Sequence, residues 1–144
     1  MPSSVLTLVN DFKLQLGRGK HDLGGHSYKA ALSNVAPNVA WTVLADVTQI
    51  GAGSGYTAGG FDLDTETLTL SGGTAVWTIA DELITAVGGT MATFQYLWVY
   101  NDTQSSPVKP LVGYYSYGSP VSLGDGESVL ADFDGVNGVM TIAG

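Results

Sequence analysis

The sequence predicts a mainly β chain: an antiparallel β-sandwich or jelly-roll-like body with one short N-terminal α-helix. Three observations predict it. About eight short β-prone runs follow one another at roughly ten-residue spacing, separated by Gly, Pro, Asn and Asp, as in a sandwich rather than a parallel α/β sheet. Residues 61–66 alternate strictly, with Phe61, Leu63 and Thr65 on one parity and Asp62, Asp64 and Glu66 on the other, the signature of a half-buried strand. Charge is sparse while Gly, Thr, Val, Leu and Tyr abound, which suits strands joined by tight connections. The 144 residues are expected to form one domain, 1–144, with residues 1–20 as helix and loop and residues 21–144 as the β body.

A helix is expected over 3–16, where Ser3 or Ser4 serves as N-cap and Val5, Val9, Phe12 and Leu16 recur at helical spacing. Gly17 and Gly19 stop it. Tyr28 to Leu32 is a short strand ahead of Pro37, and Trp41 to Ile50 fits either a strand or a short helical turn. The alternating segment leads through Leu68 and Leu70 to a Ser71-Gly72-Gly73 turn, and Thr74 to Ala80 is the next strand. Met91 to Tyr100 is the most β-prone run, with apolar or aromatic residues on both parities, so both faces are expected in the core. Pro107 and Pro110 fit a loop or sheet edge. Leu111 to Tyr117 follows, then a turn at Gly118-Ser119-Pro120. Ser128 to Phe133 and Val136 to Ile142 finish the chain, with Gly124-Asp125-Gly126 as a turn and Gly135 and Gly138 as kinks.

Composition narrows function. There is no cysteine, which excludes disulfides and thiolate metal sites. No basic region precedes an apolar run at the N-terminus, and no apolar run approaches the roughly 20 residues that span a bilayer. The expectation is a protein made in a cytoplasm with no membrane partner. A net charge of −8 opposes nonspecific nucleic-acid binding, which draws on Lys and Arg. The charges are unevenly placed: Lys13, Arg18, Lys20 and Lys29 fall in the first thirty residues, and Lys109 is the only base thereafter. A basic end able to dock on an acidic surface, and an acidic body, follow from that asymmetry.

Several constellations invite chemistry. Gly51, Gly53 and Gly55 form a G-x-G-x-G string, but a dinucleotide or phosphate loop needs a helix next, and here an alternating strand follows. The stretch is a connection into the sheet, using glycine to reach φ > 0 and close approach. Asp62/Asp64 and Asp132/Asp134 pair carboxylates on strand faces; they allow Ca²⁺ but more often mark a solvated face. Asp81-Glu82 are adjacent and point apart, unlike a glycosidase dyad. His21, Asp22 and His26 suggest no third metal ligand nearby. No catalytic site, metal or cofactor is expected. Among the aromatics, Tyr114, Tyr115 and Tyr117 are candidates for an interface or, with Trp98, a sugar-stacking face; the alternative is core packing with wet hydroxyls.

The order of features carries one further signal. VNDFKLQLGRGKHDLGGHSYKAAL is followed by GSGYTAGG and an alternating strand, then by AVWTIADELITAVGGTMATFQYLWVYNDT and PLVGYYSYGSPVSLGDGESVLADFDGVNGVMTIA. Its most specific parts are G-x-G-Y-T-A-G-G and the late strand with its D-G turn and short terminal G-V strand. This arrangement, over most of the chain, resembles a group of small proteins encoded among the structural genes of tailed double-stranded DNA bacteriophages. The resemblance implies a non-enzymatic virion component made in the host cytoplasm. Two places in the particle follow. One is the outer capsid, as a decoration or cement protein bound to the major capsid protein. The other is the tail or its tip among tail proteins, with a carbohydrate-binding adhesin module as one form. Self-association as a dimer or trimer fits either place, and Lys13, Arg18, Lys20 and Lys29 are the candidate capsid-docking residues.

Overall fold

The β-prone run ending at Tyr100 becomes the middle of the molecule. The computed structural model describes residues 5–134 and 137–143. In chain order the strands are β1 (Thr7–Leu8), β2 (Tyr28–Ser33), β3 (Phe61–Asp62), β4 (Thr67–Ser71), β5 (Thr74–Thr78), β6 (Glu82–Thr85), β7 (Phe94–Asn101), β8 (Leu111–Val121), β9 (Ser128–Ala131) and β10 (Met140–Ile142). Helix α1 (Asn10–Gly17) lies between β1 and β2. The strands build a five-stranded sheet in the order β1-β8-β7-β2-β3, a three-stranded sheet β10-β5-β4 and a ribbon β6-β9. Every pairing is antiparallel. The mainly β, antiparallel class is as expected; nothing in the strand order singles out a jelly roll.

Register explains why β7 is apolar on both parities. Tyr28, Ala30 and Leu32 stand opposite Asn101, Val99 and Leu97 on one face of the large sheet, and Leu97 stands opposite Tyr115. The small sheet reaches this face through Trp77, edge-on to Tyr28 at 5.0 Å, and Phe133 packs on Tyr115 at 5.7 Å. The other parity carries Ala31, Trp98 and Tyr114. Here the long connection from β2 to β3 lies over the sheet: Trp41 packs on Trp98 at 5.5 Å, and the Tyr100 hydroxyl donates to the Gly59 carbonyl. Residues 97–100 are consequently all fully buried.

The glycine-rich stretch belongs to that covering connection. Gly53, Gly55, Gly59 and Gly60 all have positive φ, from 84° to 124°, and the chain passes into β3 rather than a helix. Gly60 is needed twice over, for φ +84° and because a Cβ there would run into the Ala30 carbonyl of β2. Gly60→Ala is expected to cost roughly 2 kcal/mol or more. Urea unfolding checks it, and a loss below about 0.5 kcal/mol, the scale of an ordinary surface substitution, would contradict the close approach.

Several boundaries differ from the expectation. The helix begins at Asn10, not near residue 3; Ser3 and Ser4 lie outside the described residues. Thr7 and Leu8 instead pair with Tyr114 and Gly113, and Val9 N–H donates to Val112 O at 3.1 Å. Glycine at 113 permits this, because a Cβ there would meet the Thr7 carbonyl. Val9 is extended at the helix start with no side-chain cap. Of the four apolar positions, Val9 and Phe12 are buried, Leu16 is half-buried and Val5 is 83% exposed. Residues 7–9 are thus joined to the large sheet rather than set apart from the β body.

Trp41 to Ile50 resolves into a single 3₁₀ turn, Leu44–Asp46. The Asp46 carboxylate accepts the Thr42 and Val43 N–H groups, which holds its pKa below the usual carboxylate value. The alternating segment is a strand only at Phe61–Asp62, since Thr65 takes φ +57°. Its pattern still sorts burial, with Leu63 inside and Asp62 and Asp64 exposed. The turn expected at Gly118-Ser119-Pro120 is a bulge within β8. Tyr96 pairs with Ser116 and Phe94 with Val121, so the stretch 117–120 lies opposite Gln95 alone. The strand expected from Val136 is seen from Met140; Gly135 and Val136 lie outside the described residues.

Candidate functional site

The basic segment is carried by α1 and the loop after it. Lys13 and Arg18 are exposed and Lys20 is half-exposed. Lys29 does not join them. It sits on β2 with its ammonium 3.4 Å from the Asp62 carboxylate of β3 and its side chain 23% exposed. Proximity in the sequence placed it with the others, but the strand turns it to the opposite side of the sheet from Tyr28. Lys109 is likewise paired, 3.7 Å from Asp102.

A polar hub fastens the basic loop to the sheet. Asn101, fully buried at the end of β7, accepts the Thr103 and Gln104 N–H groups on its Oδ1. Its Nδ2 is thereby fixed as the donor end, 2.8 Å from His26 Nδ1, 3.3 Å from His21 Nδ1 and 3.4 Å from both the Lys20 carbonyl and the Tyr28 hydroxyl. His26 Nδ1 therefore accepts, which puts the proton of the neutral ring on Nε2; the Asp22 N–H points at the same nitrogen. His21 is 6% exposed, between Phe12 at 4.9 Å and Tyr28 at 6.0 Å, and its Nε2 is buried without a partner. Burial first, then the neighbouring His26, push its pKa down to about 4, with Asp11 acting weakly the other way. A ring held neutral in this way anchors the loop.

Asn101 was not singled out by sequence reasoning. It reads locally as a turn residue, and its partners on the loop and at the start of β2 lie 73 to 81 residues upstream. The same holds for Trp77, whose indole N–H donates to the Leu23 carbonyl at 2.7 Å and pins the next part of the loop.

The carboxylates do not converge. Asp81 is used structurally, accepting the Phe133 N–H at 2.8 Å. Asp64 and Asp62 lie near enough to Glu82 to raise its pKa, after burial as the larger cause. Asp132 accepts the Asp134 N–H, and Asp134 accepts from Asn137. Among the described residues no group of three or more His, Cys, Asp or Glu is placed to hold a metal ion, and no helix is long and apolar enough to cross a membrane.

The three candidate tyrosines do not form one row. Tyr115 is a core residue, 5% exposed against Phe133, and burial pushes its hydroxyl pKa up. Tyr117 packs on Phe94 at 5.6 Å with its hydroxyl buried. Alternation along β8 sends Tyr114 to the other face, where it is half-buried beside Trp98 at 5.0 Å and Tyr96 at 6.2 Å. Trp98 itself is fully buried. Tyr96 and Tyr114 are a half-buried pair on that face, and Tyr117 is half-buried too, apart from its buried hydroxyl. An apolar groove of about 400 Å³ lies elsewhere, lined by Val43, Leu44, Val47, Gln49, Val108 and Lys109.

Compared with known proteins, the chain matches no family model, no curated protein and no solved structure.

Proposed function

We propose that this chain is a non-enzymatic assembly protein, whose work is to bind other proteins through fixed surfaces. Its particular place is the virion of a tailed double-stranded DNA bacteriophage, as a capsid decoration or cement protein that binds the outer capsid and stabilises it. The observation that carries the docking face is the charge placement: Lys13 on α1, and Arg18 and Lys20 on the loop after it, which Asn101 latches at the Lys20 carbonyl, on a molecule of net charge −8. A rigid cationic patch on an anionic body orients approach to an acidic surface. The virion setting rests on the resemblance of the sequence to phage structural proteins. On a shell, symmetry repeats each modest contact, so that weak docking becomes collectively strong.

The test is charge reversal. A Lys13→Glu/Arg18→Glu/Lys20→Glu variant alters groups at the surface and is expected to fold as the parent does, while its binding to undecorated shells falls at least about tenfold, on the scale of 1.4 kcal/mol. Equal occupancy of shells by parent and variant would remove this face from the account. The second reading, a tail or tail-tip protein with an adhesin module, is favoured by the half-exposed Tyr96–Tyr114 pair, a surface on which a sugar ring can stack.

A further inference from the structure

We propose that β4 is a self-pairing edge, through which two copies of this chain join as a two-fold dimer. The proposal gives the self-association in the assembly reading a surface, and it does not depend on where in a particle the protein sits. β4 pairs with β5 on one side only, and all five of its residues are exposed. Soluble proteins blunt such edges with Lys, Pro, bulges or covering loops. Here the strand is Thr67-Leu68-Thr69-Leu70-Ser71, without charge or proline, and its register with β5 is unbroken.

The backbone is set for it. Ser71 and Thr74 flank the two-residue Gly72-Gly73 turn, whose φ values of 58° and 85° are those of a tight hairpin. Ser71 and Thr74 are then a hydrogen-bonded pair, and alternation turns the N–H and C=O groups of Leu68 and Leu70 away from β5, to the open edge. The side chains agree. Leu68 and Leu70 share a face with Trp77, Ala75, Met140 and Ile142 by register. Trp77 is fully buried, but exposure rises outward to 40% at Leu68, 42% at Ile142 and 76% at Leu70. The apolar row runs from the core into solvent, uncovered at its outer end.

Self-complementarity selects a second copy as the occupant. An isologous interface sets each strand antiparallel to itself, so that residue i meets j and j meets i. The order hydroxyl, apolar, hydroxyl, apolar, hydroxyl reads the same in both directions. Centred on Thr69, the two-fold sets Leu68 against the partner's Leu70, Thr67 against the partner's Ser71, and Thr69 against the partner's Thr69. Glu66 then falls opposite the partner's Gly72, so no acid faces an acid despite the net charge of −8. The basic loop comes close to β4 at Leu68, where a Cβ added to Gly24 would lie 3.7 Å from the Leu68 nitrogen and Cβ, ordinary contact distance.

The absence of cysteine makes the test direct. In this register Thr69 faces its symmetry mate in a non-hydrogen-bonded pair, with Cα atoms about 4.5 Å apart, inside the roughly 4.4–6.8 Å range of a disulfide. Purified Thr69→Cys protein, oxidised at low micromolar concentration, is expected to run mainly as a reducible dimer on a non-reducing gel. Leu83→Cys, on the exposed face of the β6-β9 ribbon, serves as the control and is expected to stay monomeric. Sedimentation of the unaltered chain should show a dimer that Leu70→Lys converts to monomer, independent of any cysteine. A Thr69→Cys protein that cross-links no better than the control, or an unaltered chain that sediments as a monomer at tens of micromolar, would overturn the proposal. Both readouts use purified protein, so their failure is distinct from absence of the chain from virions.

Discussion

Trp77→Ala is expected to lower the stability of the protein by about 3–5 kcal/mol, the range for emptying a buried tryptophan site. Trp77 is fully buried where three parts of the structure meet. It stands between Leu68 of β4 and Met140 of β10 in the small sheet, its ring lies edge-on to Tyr28 of the large sheet, and its N–H holds the Leu23 carbonyl of the basic loop. Alanine would remove the packing and leave that carbonyl buried without its donor. Against a total of about 5–15 kcal/mol for a domain, the loss takes the variant toward unfolding at ambient temperature. Trp77→Phe keeps much of the ring packing and loses the hydrogen bond, so it should fall between alanine and the parent. Urea unfolding of the three proteins measures this order; a Trp77→Ala loss below about 1 kcal/mol would mean that the small sheet is not fastened through this residue.

The second large effect is a loss of stability in mild acid through His21. Its pKa is lowered on folding from 6.5 to about 4. As pH falls below 6.5 the unfolded chain takes up a proton that the folded chain refuses. The contribution of the neutral ring is therefore complete above that pH and is lost progressively toward pH 4. One proton changes stability by about 1.4 kcal/mol per pH unit, giving about 3 kcal/mol across the window. The groups that face the ring are Phe12 and Asp11 from α1, His26 from the same loop, and Tyr28 and Asn101 from the large sheet. Only Asp11 favours the charged form, and it is outweighed. Unfolding measured between pH 7 and 4.5 should show the slope of one extra proton, and His21→Phe, which fills the aromatic slot without titrating, should flatten it. Identical slopes for the two proteins would contradict a buried neutral His21.

The parts of this structure that the sequence displays are those set by neighbours in the chain. The Gly72-Gly73 hairpin, the apolar parities of β7 and the inward Leu63 follow from local alternation and turn chemistry. Partners brought from far away decide the rest. Val5 to Leu8 carries a helical spacing, yet Thr7 and Leu8 become strand because Gly113, over a hundred residues on, leaves their backbone room against β8. Tyr115 and Tyr117 look like surface tyrosines until Phe133 and Phe94 cover them. Lys29 looks like a member of the basic cluster until β3 arrives with Asp62. The basic face itself was legible as charge asymmetry, but the Asn101 hub that fixes it was not, since one asparagine after an aromatic run reads only as a turn.

Quantitative mass spectrometry of purified phage particles, produced from the genome that encodes this chain, tests the central proposal most directly. The quantity is its copy number relative to the major capsid protein. Capsid decoration predicts hundreds of copies, in a simple ratio to the shell protein. A handful of copies would contradict decoration and favour the tail, and a particle without the chain would contradict the virion assignment altogether.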